Sequence, residues 1–210
     1  MKSFVNFLSA FRIASAFAII PTLLYGWYWI SFILYVLASL SDFFDGYLAR
    51  KYNCVSKLGG VMDHIGDKLL VANTLIILSI VLMFLLPAFI PGFPPWTIIV
   101  PVILMISREL YISGLREFLG TQKIEMPVPK ARFSMGKIKT TLQMVATCAL
   151  LLGLCMPQLV LVPKMEMFAI YGFYWLSYGG VITLWLALVA SLWSATQYTI
   201  TFIGHLKKIK

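Results

Sequence analysis

The sequence predicts an all-α, polytopic membrane protein with six transmembrane helices and both termini in the cytoplasm. Three observations carry that expectation. The 210 residues are 60% hydrophobic and only 12% charged, with a mean hydropathy of +0.89, whereas ordinary soluble domains carry about 25% charged residues. The apolar residues fall into six runs, each near the roughly 20 residues that a bilayer requires. The basic residues gather on one side of those runs, the side that the positive-inside rule assigns to the cytoplasm.

The first run covers residues 8–25, with Arg12 near its start. Residues 26–29 read as a turn in an aromatic belt, and the second run covers 29–50. The third, 58–86, is uncharged after Lys68. Residues 87–95 are rich in Pro and Gly and read as a loop. A fourth helix is expected over 96–119, then a basic loop to Met135, then a fifth helix over 136–156. A short segment with Lys164 and Glu166 leads into an aromatic cluster of Tyr171, Tyr174, Trp175 and Tyr178, and a sixth helix is expected over 179–203. Of the 17 Lys and Arg, only Lys164 falls on the side of the first, third and fifth turns.

Other classes of signal are weak. Lys2 and Arg12 precede an apolar run that lacks a small-residue cleavage site, so the first span is expected to be retained. No internal repeat or low-complexity linker divides the chain, and residues 1–210 read as one domain. Cys54, Cys148 and Cys155 have no metal-ligand spacing and read as inert thiols. The net charge of +9 does not point to nucleic acid, because the basic residues are spread between apolar spans. They read instead as topology signals and as anchors for anionic membrane lipid or substrate.

Against this background, four of the eight acidic residues lie between Asp42 and Asp67. At about 1.5 Å of rise per residue, Asp42 sits roughly 20 Å from the Trp29 end of its helix and Asp67 roughly 28 Å from the Leu86 end of the next. Both pairs therefore lie towards the cytoplasmic ends of their spans, at similar depth. Asp42 and Asp45 are spaced i, i+3 and Asp63 and Asp67 i, i+4, so each pair shares a helix face. A carboxylate at the centre of a span costs roughly 2.5–3.5 kcal/mol on insertion scales. Two divalent cations would neutralise four of them, and oxygen ligands suit Mg²⁺ or Mn²⁺. Such a pair of ions is the usual clamp for in-line displacement at phosphorus. Gly46 and Ala49 clear space one turn away, and Arg50 can fork to a phosphate. One intramembrane aspartate could equally serve helix packing; four in ordered spacing argue for a site.

These residues carry a resemblance. Asp42-x2-Asp45-Gly46-x2-Ala49-Arg50-x8-Gly59-x3-Asp63-x3-Asp67 matches, at every fixed position, the signature of the CDP-alcohol phosphotransferase family. The resemblance implies a six-helix membrane enzyme, usually a homodimer, in the inner (cytoplasmic) membrane with its site opening to the cytoplasmic side. It implies that Asp42, Asp45, Asp63 and Asp67 hold two metal ions and that Asp67 is also the base for the acceptor hydroxyl. It further implies that Gly46, Ala49, Arg50, Ser56 and Gly59 form the binding site of the CDP-linked lipid. Ser56 stands where the wider family often has Thr. His64 and Gly66 replace the Pro and Ala usual beside the last aspartates, while Lys68 is kept.

A second set of residues narrows the branch. Asn6-x-Leu8-Ser9-x2-Arg12 resembles the family's opening, and Ser107-Arg108-Glu109-Leu110, Ser113-Gly114-Leu115-Arg116-Glu117 and Gly136-Lys137-Ile138-Lys139-Thr140 resemble its bacterial branch that moves a phosphatidyl group from CDP-diacylglycerol to glycerol 3-phosphate. The likeness extends over about 6–144 and fades beyond. Arg108 lies about 12 Å inward of Arg116 along its helix, too deep for an interfacial anchor. An arginine inside a span is a functional candidate by default. Arg108, Arg116, Lys137 and Lys139 are thus candidates to bind the acceptor's phosphate. The plain alternatives are an ion pair of Arg108 with Glu109 or Glu117, and a topological role for the two lysines. Cardiolipin synthase of the CDP-alcohol type and phosphatidylinositol-phosphate synthase share the first motif. A divalent-cation transporter would spread its acids through the membrane depth and would not interleave them with Arg50.

Overall fold

The computed structural model describes residues 2–51, 57–90, 92–121 and 135–209, with side chains over 7–41, 61–62, 65–90, 92–120 and 138–204. Six α-helices follow in order: α1 Lys2–Leu24, α2 Tyr28–Lys51, α3 Lys57–Phe89, α4 Trp96–Thr121, α5 Met135–Cys155 and α6 Glu166–Ile209. A 3-10 turn, Met156–Leu161, separates α5 from α6. No β-strand occurs among the described residues. Five helices contain apolar stretches long enough to cross a bilayer, and α2 adds a shorter one, Tyr28–Ser41, within its described side chains. In hydrocarbon every backbone polar group must be satisfied within the segment, and uninterrupted helices achieve this.

The helices pack as a bundle in which α3 touches α1, α2, α4 and α5, and α6 lies along α5 and α4. Leu75, Leu78, Leu82 and Leu86 of α3 recur at helical spacing and are buried with Ile19, Tyr35, Met105 and Leu150. Outward-facing Phe17, Ile33, Phe84, Ile103, Leu186 and Trp193 are each about half exposed or more. A water-soluble monomer rarely presents so much contiguous apolar surface, whereas a lipid-embedded bundle requires it.

Two expectations need correction. Residues 87–89 belong to α3 rather than to a loop, and the Ile90 amide still donates to the Leu86 carbonyl at 2.7 Å. Pro87 forgoes the amide bond to the carbonyl four residues back, yet α3 continues past it, and an apolar environment favours keeping the backbone helical. The larger correction concerns α6, which starts at Glu166 rather than at Gly179, so that Tyr171, Tyr174, Trp175 and Tyr178 are helical. Its 44 residues span about 66 Å, roughly twice the hydrocarbon thickness. The glycines read as a helix start are inside the helix because packing uses one of them. A Cβ on Gly180 would lie 2.7 Å from Cγ and Cδ2 of Leu150, and one on Gly172 would lie 2.9 Å from Sδ of Met156. Small residues of this kind let membrane helices approach closely. The basic loop expected before Met135 lies outside the described residues.

This packing has a measurable consequence. Gly180→Ala is expected to destabilise the protein by about 1–3 kcal/mol through overpacking against buried Leu150. Gly179→Ala, whose Cβ would meet nothing within 4 Å, is expected to be neutral or stabilising by up to about 1 kcal/mol. Thermal unfolding of the two variants in detergent compares them directly.

Candidate active site

The connections between helices define two ends. At one end, Gln158 of the 3-10 turn donates to the carbonyl of Gly26 at 2.8 Å, and Tyr174 donates to the carbonyl of Phe89 at 3.0 Å. Gly26 turns the chain between α1 and α2 with φ of +78°, a conformation that glycine adopts without strain. The described site residues lie at the opposite end, where α1, α3 and α5 begin and α2, α4 and α6 finish.

Asp67 is the aspartate of the motif whose side chain is described. Nη1 of Arg12 donates to its Oδ1 at 2.6 Å, linking α1 to α3 across 55 residues of sequence. The Arg12 side chain has no exposed surface, while that of Asp67 is 40% exposed. A guanidinium buried in an apolar bundle is costly unless paired, so the bridge fixes both groups. Gly66 packs against the same arginine. A Cβ there would stand 3.3 Å from Cγ1 of Ile13 and 3.4 Å from Cδ of Arg12. The glycine that departs from the resembled pattern thus lies directly beneath the arginine that holds Asp67.

A cation cluster occupies the same end. Lys68 donates to Oγ of Ser113 at 2.6 Å, tying α3 to α4. Arg108 uses all three of its nitrogens: Nε donates to the Ser191 carbonyl, Nη2 to Oγ of Ser194 and Nη1 to Oε1 of Glu109, each at 3.1 Å. Lys139 of α5 donates to the same Glu109 oxygen. Arg116, nearer the helix end, donates to the Tyr198 hydroxyl at 2.9 Å and lies 5.0 Å above that ring. Lys68, Arg108, Arg116 and Lys139 are near enough to repel one another. Glu109 is the one carboxylate that pairs with them among the described residues.

The remaining candidates divide by what is described. Asp42, Asp45, Gly46, Ala49 and Arg50 lie in the last turns of α2, Gly59 and Asp63 in the first turns of α3, and Lys137 in the first turn of α5. Their side chains fall outside the described residues, as does Ser56 entirely. Among the described residues no group of three metal-ligating side chains occurs. Arg108, Arg116 and Lys139 are brought together, and Arg108 does make the ion pair with Glu109 that was its plain alternative.

Several partners were not foreseen: Arg12 for Asp67, and Ser191, Ser194 and Tyr198 for the arginines. Two signals point to them. An arginine within an apolar run calls for a carboxylate partner. Ser191, Ser194 and Tyr198 recur at i, i+3 and i+7 and so share one face of α6.

The family model for CDP-alcohol phosphatidyltransferase matches residues 3–193. The chain is also similar to three proteins named CDP-diacylglycerol–glycerol-3-phosphate 3-phosphatidyltransferase. It is 39% identical over 155 residues to that of Cereibacter sphaeroides, a match covering 72% of this chain and 64% of the relative. It is 38% identical over 155 residues to that of Rickettsia bellii, covering 70% and 74% of the two chains. It is 30% identical over 177 residues to that of Salmonella typhimurium, covering 84% and 80%.

The two serines that hold Arg108 do so differently, which gives a sharp comparison. Ser194→Ala removes the acceptor of a buried charged donor and is expected to cost about 1–3 kcal/mol. Ser191 accepts through its main-chain carbonyl, and its buried hydroxyl has no partner. Ser191→Ala is therefore expected to leave stability unchanged or slightly raise it, as thermal unfolding of the pair would report.

Proposed function

Because the chain belongs to the CDP-alcohol phosphatidyltransferase family, we propose that it transfers the phosphatidyl group of CDP-diacylglycerol to glycerol 3-phosphate, giving phosphatidylglycerol phosphate and CMP. The observation that carries this reading is that Asp67, paired with Arg12, and a cluster of Lys68, Arg108, Arg116 and Lys139 lie at the same end of an apolar bundle. A carboxylate suits an acceptor hydroxyl, and a cation cluster suits an anionic acceptor. The acceptor in the relatives' names is glycerol 3-phosphate.

Asp67, partly exposed and oriented through Oδ1 by Arg12, takes the proton from the primary hydroxyl of the acceptor. The alkoxide oxygen attacks the phosphorus that bears the diacylglycerol. The new P–O bond forms as the P–O bond to CMP breaks in line, and the electron pair leaves on the CMP phosphate. Arg50 and the small residues Gly46, Ala49 and Gly59, with Ser56, receive the CDP moiety. Arg108, Arg116, Lys137 and Lys139 hold the acceptor's phosphate, so its hydroxyl is presented and not merely encountered.

The donor set fits divalent metal. Asp67 offers a hard oxygen donor near the bundle end, and α2, which carries Asp42 and Asp45, packs against α3, which carries Asp63 and Asp67. Asp42, Asp45, Asp63 and Asp67 would hold two Mg²⁺ or Mn²⁺ ions, which when bound supply charge stabilisation at the diphosphate and the leaving CMP.

The chain is a multi-pass membrane protein. The basic bias of the loops supports a site and both termini on the cytoplasmic side of the inner membrane. The match of one family model to residues 3–193 supports a single domain, and a homodimer accords with the family resemblance.

An acceptor screen with purified protein and CDP-diacylglycerol tests the reading. CMP release is expected with glycerol 3-phosphate at more than about tenfold the rate with inositol phosphate, serine or phosphatidylglycerol. Chelation should abolish it and Mg²⁺ or Mn²⁺ restore it, and Asp67→Asn should lower it by about 10²–10⁴-fold. Equal use of the four acceptors would overturn the assignment.

A further inference from the structure

We propose that Glu109 is the internal counter-anion of the acceptor-phosphate site, and that the incoming phosphate takes over Arg108 and Lys139 from it. The proposal rests on reading the cation cluster as that site. One carboxylate oxygen, Oε1 of Glu109, accepts from Nη1 of Arg108 on its own helix and from Nζ of Lys139 on α5. The side chains of Arg108 and Lys139 are only 7% and 10% exposed, whereas that of Glu109 is 32% exposed. The carboxylate therefore lies on the open side of two buried cations, where an anion arriving from water would have to sit.

The anchoring is unequal. Arg108 is held from behind by the Ser191 carbonyl and the Ser194 hydroxyl of α6, so it keeps its place when Glu109 moves. Glu109 has no such second tether among the hydrogen bonds and ion pairs of the described residues. In the absence of substrate its charge offsets two cations whose burial would otherwise be costly. A phosphate monoester at neutral pH carries more charge and more acceptor oxygens than a carboxylate. It can replace Glu109 on both cations and also engage neighbouring Lys68 or Arg116. An uncharged alcohol cannot make that exchange. Glu109 thus lowers affinity for every acceptor and excludes those without phosphate, which is selection by competition as well as by attraction.

Glu109→Gln keeps the shape and removes the charge. Titration of inorganic phosphate into detergent-purified wild type and variant, followed calorimetrically, is expected to show about tenfold tighter binding to the variant. The KM for glycerol 3-phosphate should fall in parallel without a rise in kcat, and the melting temperature should drop. Phosphate affinity that is unchanged or weaker in folded Glu109→Gln overturns the proposal and makes Glu109 a scaffold residue. If that variant does not fold, Glu109→Asp decides: its shorter side chain loosens the contact, so a lower KM upholds the proposal and an equal or higher KM overturns it. A wild-type protein that binds neither phosphate nor glycerol 3-phosphate, yet releases CMP with another acceptor, overturns the acceptor reading and this proposal together. Wild type that binds phosphate, with a variant that binds it no tighter, overturns this proposal alone.

Discussion

A single ion pair, Arg12 to Asp67, fixes the geometry on which the rest of the site depends. It joins the first helix to the third and places a fully buried guanidinium behind a carboxylate that still meets solvent. The pairing offsets the cost of burying the arginine among apolar side chains and orients one oxygen of the aspartate. Together they present one oriented carboxylate at the polar end of an apolar bundle. Gly66 belongs to the same arrangement, since a Cβ there would stand 3.4 Å from Cδ of Arg12.

The same economy of charge governs the cation cluster. Arg108 and Lys139 are buried, and each is matched by a named partner. The two cations stand on α4 and α5 and their partners on α4 and α6, so the cluster exists only because these three helices pack as they do. Glycines let α6 pack closely on α5 and on the 3-10 turn after it, with Gly180 against Leu150 of α5 and Gly172 against Met156 of the turn. Helix packing far from the site therefore sets where Ser191 and Ser194 stand, and through them where Arg108 points. The long α6 is a structural strut for the site rather than a lipid-facing extra.

Much of this was legible in the sequence, and the boundary is physical. Apolar runs gave the six helices because span length is dictated by bilayer thickness. The aspartate spacing points to the proposed chemistry because i, i+3 and i, i+4 put residues on one helix face whatever surrounds them. The start of α6 was misjudged because Gly179 and Gly180 look like a break, and only the facing Leu150 reveals that packing needs a glycine there. Pro87 reads as a break in the same way, yet α3 continues past it to Phe89. Glu109, next to Arg108 in the chain, is legible as its partner, whereas Asp67 for Arg12 and Ser191 and Ser194 for Arg108 depend on which helices touch, which no local pattern encodes. The face of α6 shared by Ser191, Ser194 and Tyr198 was visible but had no address until α4 was found beside it.

The central claim is that Arg12 orients Asp67 for the reaction. It is tested most directly by CMP release from CDP-diacylglycerol and glycerol 3-phosphate by purified wild type, Arg12→Lys and Arg12→Met, each first shown to be folded. Arg12→Met should lose at least about a hundredfold in kcat, equivalent to roughly 2.7 kcal/mol of transition-state stabilisation. Arg12→Lys should retain part of the activity, because it keeps the charge without the planar fork. Full turnover by folded Arg12→Met would contradict the account.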